Sequence, residues 1–198
     1  MAPIDTGRVE AAVAEILAAI GEDPSRAGLA STPSRVAESY VDFFSGLGVD
    51  PLIHLASATE LDLGPDELGE LVLLRDIRFR SMCEHHLLPF TGVVHVAYVP
   101  HRRIVGLGKI PRVIETLASR PQLQERLTEE IAQALEDGLA PRGVLVVVDA
   151  AHGCVTARGV QQSNSTTVTL ATRGTLSDPT AQAGVLALVG SAAGVSGG

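Results

Sequence analysis

The run Ser81-Met82-Cys83-Glu84-His85-His86-Leu87-Leu88-Pro89 places a thiol, a carboxylate and two imidazoles side by side in an otherwise apolar neighbourhood. Cys83 and His86 have the C-x-x-H spacing that lets a thiolate and an imidazole converge on one ion. Cys154, the second of the chain's 2 cysteines, stands two residues after His152. Two thiolates and one imidazole with no fourth Cys or His nearby leave one coordination position open, the pattern of a catalytic rather than a structural zinc site. The alternative is that each cysteine is a small buried hydrophobe. A histidine within three residues of each cysteine favours the metal. His85 and His152 are then free imidazoles beside the ion, suited to general acid–base work near neutral pH. Glu84 reads as a carboxylate that supports the fold or the metal's surroundings.

A second chemical feature lies downstream. Lys109 and Arg112 fall where a helix should begin, just after Gly106 and Gly108. Backbone N–H groups at a helix start, with two cations, make a pocket for phosphates. The G-x-x-x-x-G-K-[ST] phosphate loop is absent. Arg102, Arg103 and Arg120 extend this basic cluster, which reads either as an anion site or as a solvated basic face.

The rest of the chain must position these groups. Its 198 residues are enough for one filled core, within a prior of one to two domains. Aromatics are 3% and tryptophan is absent, so Val, Leu, Ile and Ala must build that core. A net charge of −8 argues against a nucleic-acid surface. No apolar run approaches the ~20 residues of a membrane span, and the N-terminus lacks the pattern of a signal peptide. Two cysteines outside any disulfide framework suit a reducing compartment, so a cytoplasmic location is expected.

The 3.6-residue period predicts helices over 5–20 and from Ser31 or Thr32 to about Phe44, the second with Pro33 in its first turn. Strands are expected over 71–80 and 91–99, with Val94, Val96 and Tyr98 on one face and His95, a structural histidine, on the other. A helix follows from Lys109 to about Ser119. A further helix is expected to have Pro121 in its first turn, a Leu123, Leu127, Ile131 and Leu135 stripe, and Gly138 as its stop. Strands are expected over 143–149, 155–161 and 166–172. The order strand, strand, helix, helix, strand, strand is not that of a parallel α/β sheet. It predicts an α+β fold, an antiparallel four-stranded sheet with its helices on one face. The expected units are an N-terminal helical segment over 1–68, a catalytic domain over 69–178, and an Ala/Gly-rich tail over 179–198, either disordered or a short strand.

The same residues resemble the GTP cyclohydrolase I family. The resemblance runs through Ser81 to Phe90, His95 to Pro100, Gly106-Leu107-x-Lys109-Ile110-x-Arg112, and Gln122 to Thr128. It continues in His152-x-Cys154-x-Thr156-x-Arg158-Gly159-Val160-Gln161 and reaches back to Thr32-Pro33-x-Arg35. It implies a T-fold (ββααββ) enzyme, a toroidal homodecamer with active sites at subunit interfaces. The implied reaction is the zinc-dependent hydrolytic opening of the guanine imidazole ring of GTP, releasing formate and giving 7,8-dihydroneopterin triphosphate for folate or pterin synthesis. It implies Cys83, His86 and Cys154 as zinc ligands, and His85 and His152 as catalytic acid–base groups. Gln124 and Glu125 are implied on the guanine edge, and Lys109, Arg112, Arg158 and a neighbouring subunit's Arg35 on the triphosphate. The chain departs from the family pattern at Gly108, Ala151 and Gly153. Two alternatives follow: a diverged paralogue that stops after ring opening or serves a specialised deazapurine or pterin pathway, and a purine- or pterin-binding T-fold module without turnover.

Overall fold

The computed structural model describes residues 3–61 and 69–190. The expected boundary after residue 68 and the end of the tail, 191–198, fall outside the described residues. Helix α1 (Thr6–Ala19) starts at Asp5, whose carboxylate accepts from the Arg8 N–H at 3.0 Å. It packs on α2 (Thr32–Phe43), where Pro33 occupies the first turn. A 3-10 turn (Pro51–His54) and strand β1 (Thr59–Glu60) lead to β2 (Val72–Cys83) and β3 (Pro89–Val99). Strand β4 (Arg103–Ile104) pairs with β1 and precedes helix α3 (Lys109–Ala118). Strand β5 (Pro121–Gln122), helix α4 (Gln124–Leu139) and strand β6 (Gly143–His152) follow. The chain closes with α5 (Gly153–Thr156), β7 (Thr167–Gly174), a second 3-10 turn (Thr175–Ser177) and α6 (Pro179–Gly190).

The sheet order is β5-β2-β3-β6-β7, antiparallel throughout β2, β3, β6 and β7. Because strand side chains alternate, β3 sends Val94, Val96 and Tyr98 to one face, and β6 sends Val144, Val146 and Val148 with them. That face meets Ile110, Ile114 and Leu117 of α3 and Leu127, Ile131 and Leu135 of α4, all within 2% of full burial. This is the expected α+β arrangement, ββααββ with both helices on one face. His95 points the other way, is buried, and its Nδ1 accepts from the Asp76 N–H at 3.2 Å.

Four local expectations are corrected. Pro121 does not open a helix: Pro121 and Gln122 pair in parallel with Met82 and Cys83, and α4 begins at Gln124. Gly138 does not stop α4, which runs one residue further and ends on Ala140 in the left-handed conformation at φ 45°. A Cβ on Gly138 would stand 2.3 Å from Leu55 Cδ1, so glycine here admits a close approach. Residues 155–161 form no strand, because β3 and β7 already occupy both edges of β6; α5 and turns take their place. Finally, residues 179–190 are helical. Asp178 accepts from the N–H groups of Thr180 and Ala181, and Val185 buries itself on Ala97, Leu145, Val147 and Leu176. Arg75 closes this helix by donating to the Leu188 carbonyl at 2.8 Å.

Candidate metal centre

Strand β2 ends on Cys83, and the chain turns immediately. The Cys83 carbonyl accepts from Leu87 N–H at 2.8 Å, and Cys83 N–H donates to the Leu88 carbonyl at 2.9 Å. Leu87 takes a positive φ of 51° to complete this reversal, which folds His86 back toward the strand end. On the next strand but one, the pairing of His152 with Phe90 ends β6 beside the start of β3. The α5 turn then carries Cys154 across Pro89; a Cβ on Gly153 would stand 2.8 Å from the Pro89 carbonyl oxygen. One ligand atom each from Cys83, His86 and Cys154 lies within 4.8 Å of the others.

The donor chemistry fits zinc. Two sulfurs and one imidazole nitrogen give three protein ligands and leave a fourth position for solvent or substrate. Burial, then the Cys83 thiol beside it, push the Cys154 thiol above its usual range, with Arg158 opposing. A divalent cation between the sulfurs would reverse that balance. Metal uptake must therefore release protons, and it weakens as pH falls.

His152 is held from two sides. Its ring stacks on Phe90 with centroids 4.7 Å apart and planes 2° from parallel, and Phe90 meets the edge of Phe79. Its Nε2 lies 2.7 Å from Gln124 Oε1. Gln124 is 2% exposed, and its amide nitrogen faces the carbonyls of Val148 (3.0 Å) and Thr167 (2.8 Å) and the Thr169 hydroxyl (3.1 Å). Carbonyl oxygens only accept, so the NH2 group must stand there and the amide oxygen must face the imidazole. His152 thus donates from Nε2, which leaves Nδ1 as its basic nitrogen. Burial pushes the imidazole below its usual range, and the Glu125 carboxylate opposes the shift. His85 is exposed, with its ring edge-on to His86 at 6.3 Å.

The remaining charged candidates divide into two groups. Arg158 is close enough to act on Cys154, and Glu125 on His152. Lys109, Arg112 and Arg35 are not gathered with them. Helix α3 is tied to β2 at its C-terminal end, where the Ser81 hydroxyl donates to the Ala118 carbonyl at 2.7 Å. Its ten residues at ~1.5 Å each put Lys109 a helix length away. Arg112 lines a shallow pocket with His54 and Thr116, and Arg35 is exposed on α2.

A family model described as GTP cyclohydrolase I matches residues 9–190. The GTP cyclohydrolase 1 of Leifsonia xyli is 60% identical over 190 residues, covering 96% of this chain and 98% of its relative. The chain belongs to the GTP cyclohydrolase I family. The enzymes of the same name from Rhodopirellula baltica (51% identical, covering 96% of this chain and 81% of its relative) and Bacillus subtilis (48%, 91% and 93%) are also similar to it. Among solved structures, the apo archaeosine synthase QueF-Like aligns with 52% of this chain and 93% of its own at 18% identity and a TM-score of 0.41, too weak a likeness to bear on the site. Within this family the ββααββ sheet is the T-fold. None of the described helices is long and apolar enough to cross a membrane.

Sequence reasoning missed two contributors. Phe90 and Arg126, whose guanidinium bonds the Glu84 carboxylate, carried no signal beyond their places in the family motifs. Both meet site residues only through contacts distant in the chain, Phe90 with His152 and Arg126 with Glu84.

Proposed function

We propose that this chain opens the guanine imidazole ring of GTP by hydrolysis, releases formate and closes the product to 7,8-dihydroneopterin triphosphate, the entry to folate and pterin synthesis. The observation that carries this reading is the convergence of Cys83, His86 and Cys154 beside an imidazole held in one tautomer, in a member of this family. Cys83, His86 and Cys154 hold zinc. When bound, zinc would supply a Lewis acid that lowers the pKa of water at the site from its bulk value to about 7. His152, fixed by Phe90 and Gln124, exchanges a proton through Nδ1 with the purine nitrogen that is released as the ring opens. His85, on its exposed turn, does the same at the ribose ring oxygen. Glu125 accepts hydrogen bonds from the guanine edge. Lys109, Arg112 and Arg158, with Arg35 of a neighbouring copy, hold the triphosphate through charge-assisted hydrogen bonds.

The placement of Lys109 at the N-terminal end of α3, opposite the end that Ser81 ties to β2, supports a site completed between copies, in a homo-oligomer of the decameric type. Ile16 on α1 and Ile20 at its C-terminal cap (58% and 73% exposed), with Val168 and Leu170 on edge strand β7 (62% and 44%), supply apolar surface for such contacts. A cytoplasmic location accompanies this reading, with GTP as the small-molecule substrate.

Gln124 acts on substrate only through His152, because its side-chain polar atoms are all engaged inside the protein. Gln124→Leu is expected to lower kcat about 10- to 100-fold, less than the ~10²- to 10⁴-fold that a positioned acid–base group contributes in full, because the imidazole itself remains, and to leave KM within about twofold. Steady-state kinetics with GTP check this. A raised KM with unchanged kcat would make Gln124 a direct contact.

Gly108 supports a second reading. A Cβ there meets nothing within 4 Å, so the residue leaves open space just before Lys109. That second reading is a diverged paralogue that stops after ring opening or serves a specialised deazapurine or pterin pathway. The test is to give zinc-loaded protein GTP and follow formate and pterin absorbance in one reaction. Both products are expected. Formate alone would favour the truncated reaction, and neither, with zinc bound, would favour a binding module.

A further inference from the structure

The turn that carries the Cys83 and His86 ligands is poorly anchored by packing: residues 84–87 are all exposed. Its own closure relies on two backbone hydrogen bonds and on the left-handed Leu87. Among the described residues, the hydrogen bonds that tie residues 84–86 to elements beyond the turn all pass through Glu84. Its N–H donates to the Gln122 carbonyl at 3.0 Å, and its carboxylate accepts from the Arg126 guanidinium. Arg126 is itself aimed from below. Its Nε donates to Gln122 Oε1 at 3.0 Å, a second nitrogen donates to the Pro121 carbonyl at 3.3 Å, and Glu130 lies 3.9 Å away. Gln122, 1% exposed, is held in turn by the Leu117 carbonyl and Glu130. A rigid, buried strand–helix junction thus reaches out through one guanidinium to a turn with no other side-chain anchor.

We infer that the Glu84–Arg126 pair is a positioning device for the metal centre: it holds the turn so that His86 faces Cys83 and Cys154 before the ion arrives. The inference rests on the assignment of those three residues as metal ligands. Neither partner belongs to the group of three ligand residues; the pair acts through the backbone between Cys83 and His86. The side chains are 32% and 43% exposed, so water screens the pair and its contribution to global stability is small. Its effect on metal binding is not small, because a turn free to sample other conformations must be ordered as the metal binds. Groups that orient metal ligands from outside the coordination sphere typically affect affinity 10- to 100-fold.

The experiment measures zinc affinity by competition with a chromophoric chelator for the full chain and for Glu84→Gln, Arg126→Gln and the double variant. Cobalt(II) absorption and thermal midpoints are recorded in parallel. Each single variant is expected to bind zinc about 10-fold or more weakly, with the double variant no weaker than the singles and thermal midpoints close to the parent's. The cobalt bands are expected to change in intensity as the imidazole loosens. Affinities within twofold of the parent, with unchanged cobalt bands, would overturn the inference and leave the ligand assignment standing. Additive losses would also overturn it, since the residues would then act separately. A parent chain that takes up no stoichiometric zinc would remove the ligand assignment itself, and the positioning role with it.

Discussion

The Cys154→Ser chain is expected to lose bound zinc and turnover together. Serine matches cysteine in size, but its hydroxyl stays protonated at neutral pH and offers zinc a poor donor, whereas a coordinated thiol gives up its proton outright. The variant would keep Cys83 and His86 only, both on the one turn that follows β2, with the α5 side of the site contributing nothing. Without the ion, water at the site returns toward its bulk pKa, so activity should fall by about three orders of magnitude or more. The fold should survive. Cys154 is only partly buried and lies at the margin of the core, which is built by β3, β6, α3 and α4. Linkage separates the two effects: a ligand that binds only the folded state raises its apparent stability. Added zinc should therefore raise the thermal midpoint of the parent and not of the variant. Metal content by atomic absorption and formate release check the result. Stoichiometric zinc with normal turnover in Cys154→Ser would place the third ligand elsewhere.

What could be read from the sequence was whatever one segment reports alone. Leu127, Ile131 and Leu135 recur at the helical period because the whole stripe faces one sheet, and Val94, Val96 and Tyr98 alternate for the same reason. Two cysteines and paired histidines in so acidic a chain are conspicuous by type. What could not be read depends on partners from far along the chain. Pro121 has the composition of a helix start, yet its place is decided by Met82, which offers a strand edge there. The 155–161 segment has strand-like residues, but β3 and β7 already take both sides of β6, the strand it follows. Helix α6 is apolar nearly all round and shows no period; the second face of the sheet, with Ala97 and Leu145, selects its conformation by burying Val185. Gln124 was legible as a polar residue next to Glu125, but its direction was not. Only the carbonyls of Val148 and Thr167 reveal that its amide points inward.

His152→Ala is the complementary case, expected to keep zinc and lose the chemistry. The imidazole is outside the group of three ligand atoms that lie within 4.8 Å of one another, and its Nε2 is already committed to Gln124 at 2.7 Å. Removing it therefore takes no donor from the metal. It does take away the one nearby imidazole whose basic nitrogen is set by a buried partner, so kcat should fall about 10²- to 10⁴-fold, the usual worth of a positioned acid–base group. KM should change little, since the substrate contacts proposed for Glu125 and the cations do not pass through His152. The truncation also leaves a slot bounded by the Phe90 face and the Gln124 amide oxygen. Free imidazole has the shape to stack there and the N–H to donate to that oxygen. Partial recovery of formate release with added imidazole is thus expected in His152→Ala and not in Cys154→Ser, where the missing group is a sulfur ligand. Zinc loss in His152→Ala would instead make His152 a ligand. Recovery in Cys154→Ser and none in His152→Ala would show the added imidazole filling the coordination position left by the sulfur, and would count against an acid–base role for His152 that a free imidazole can replace.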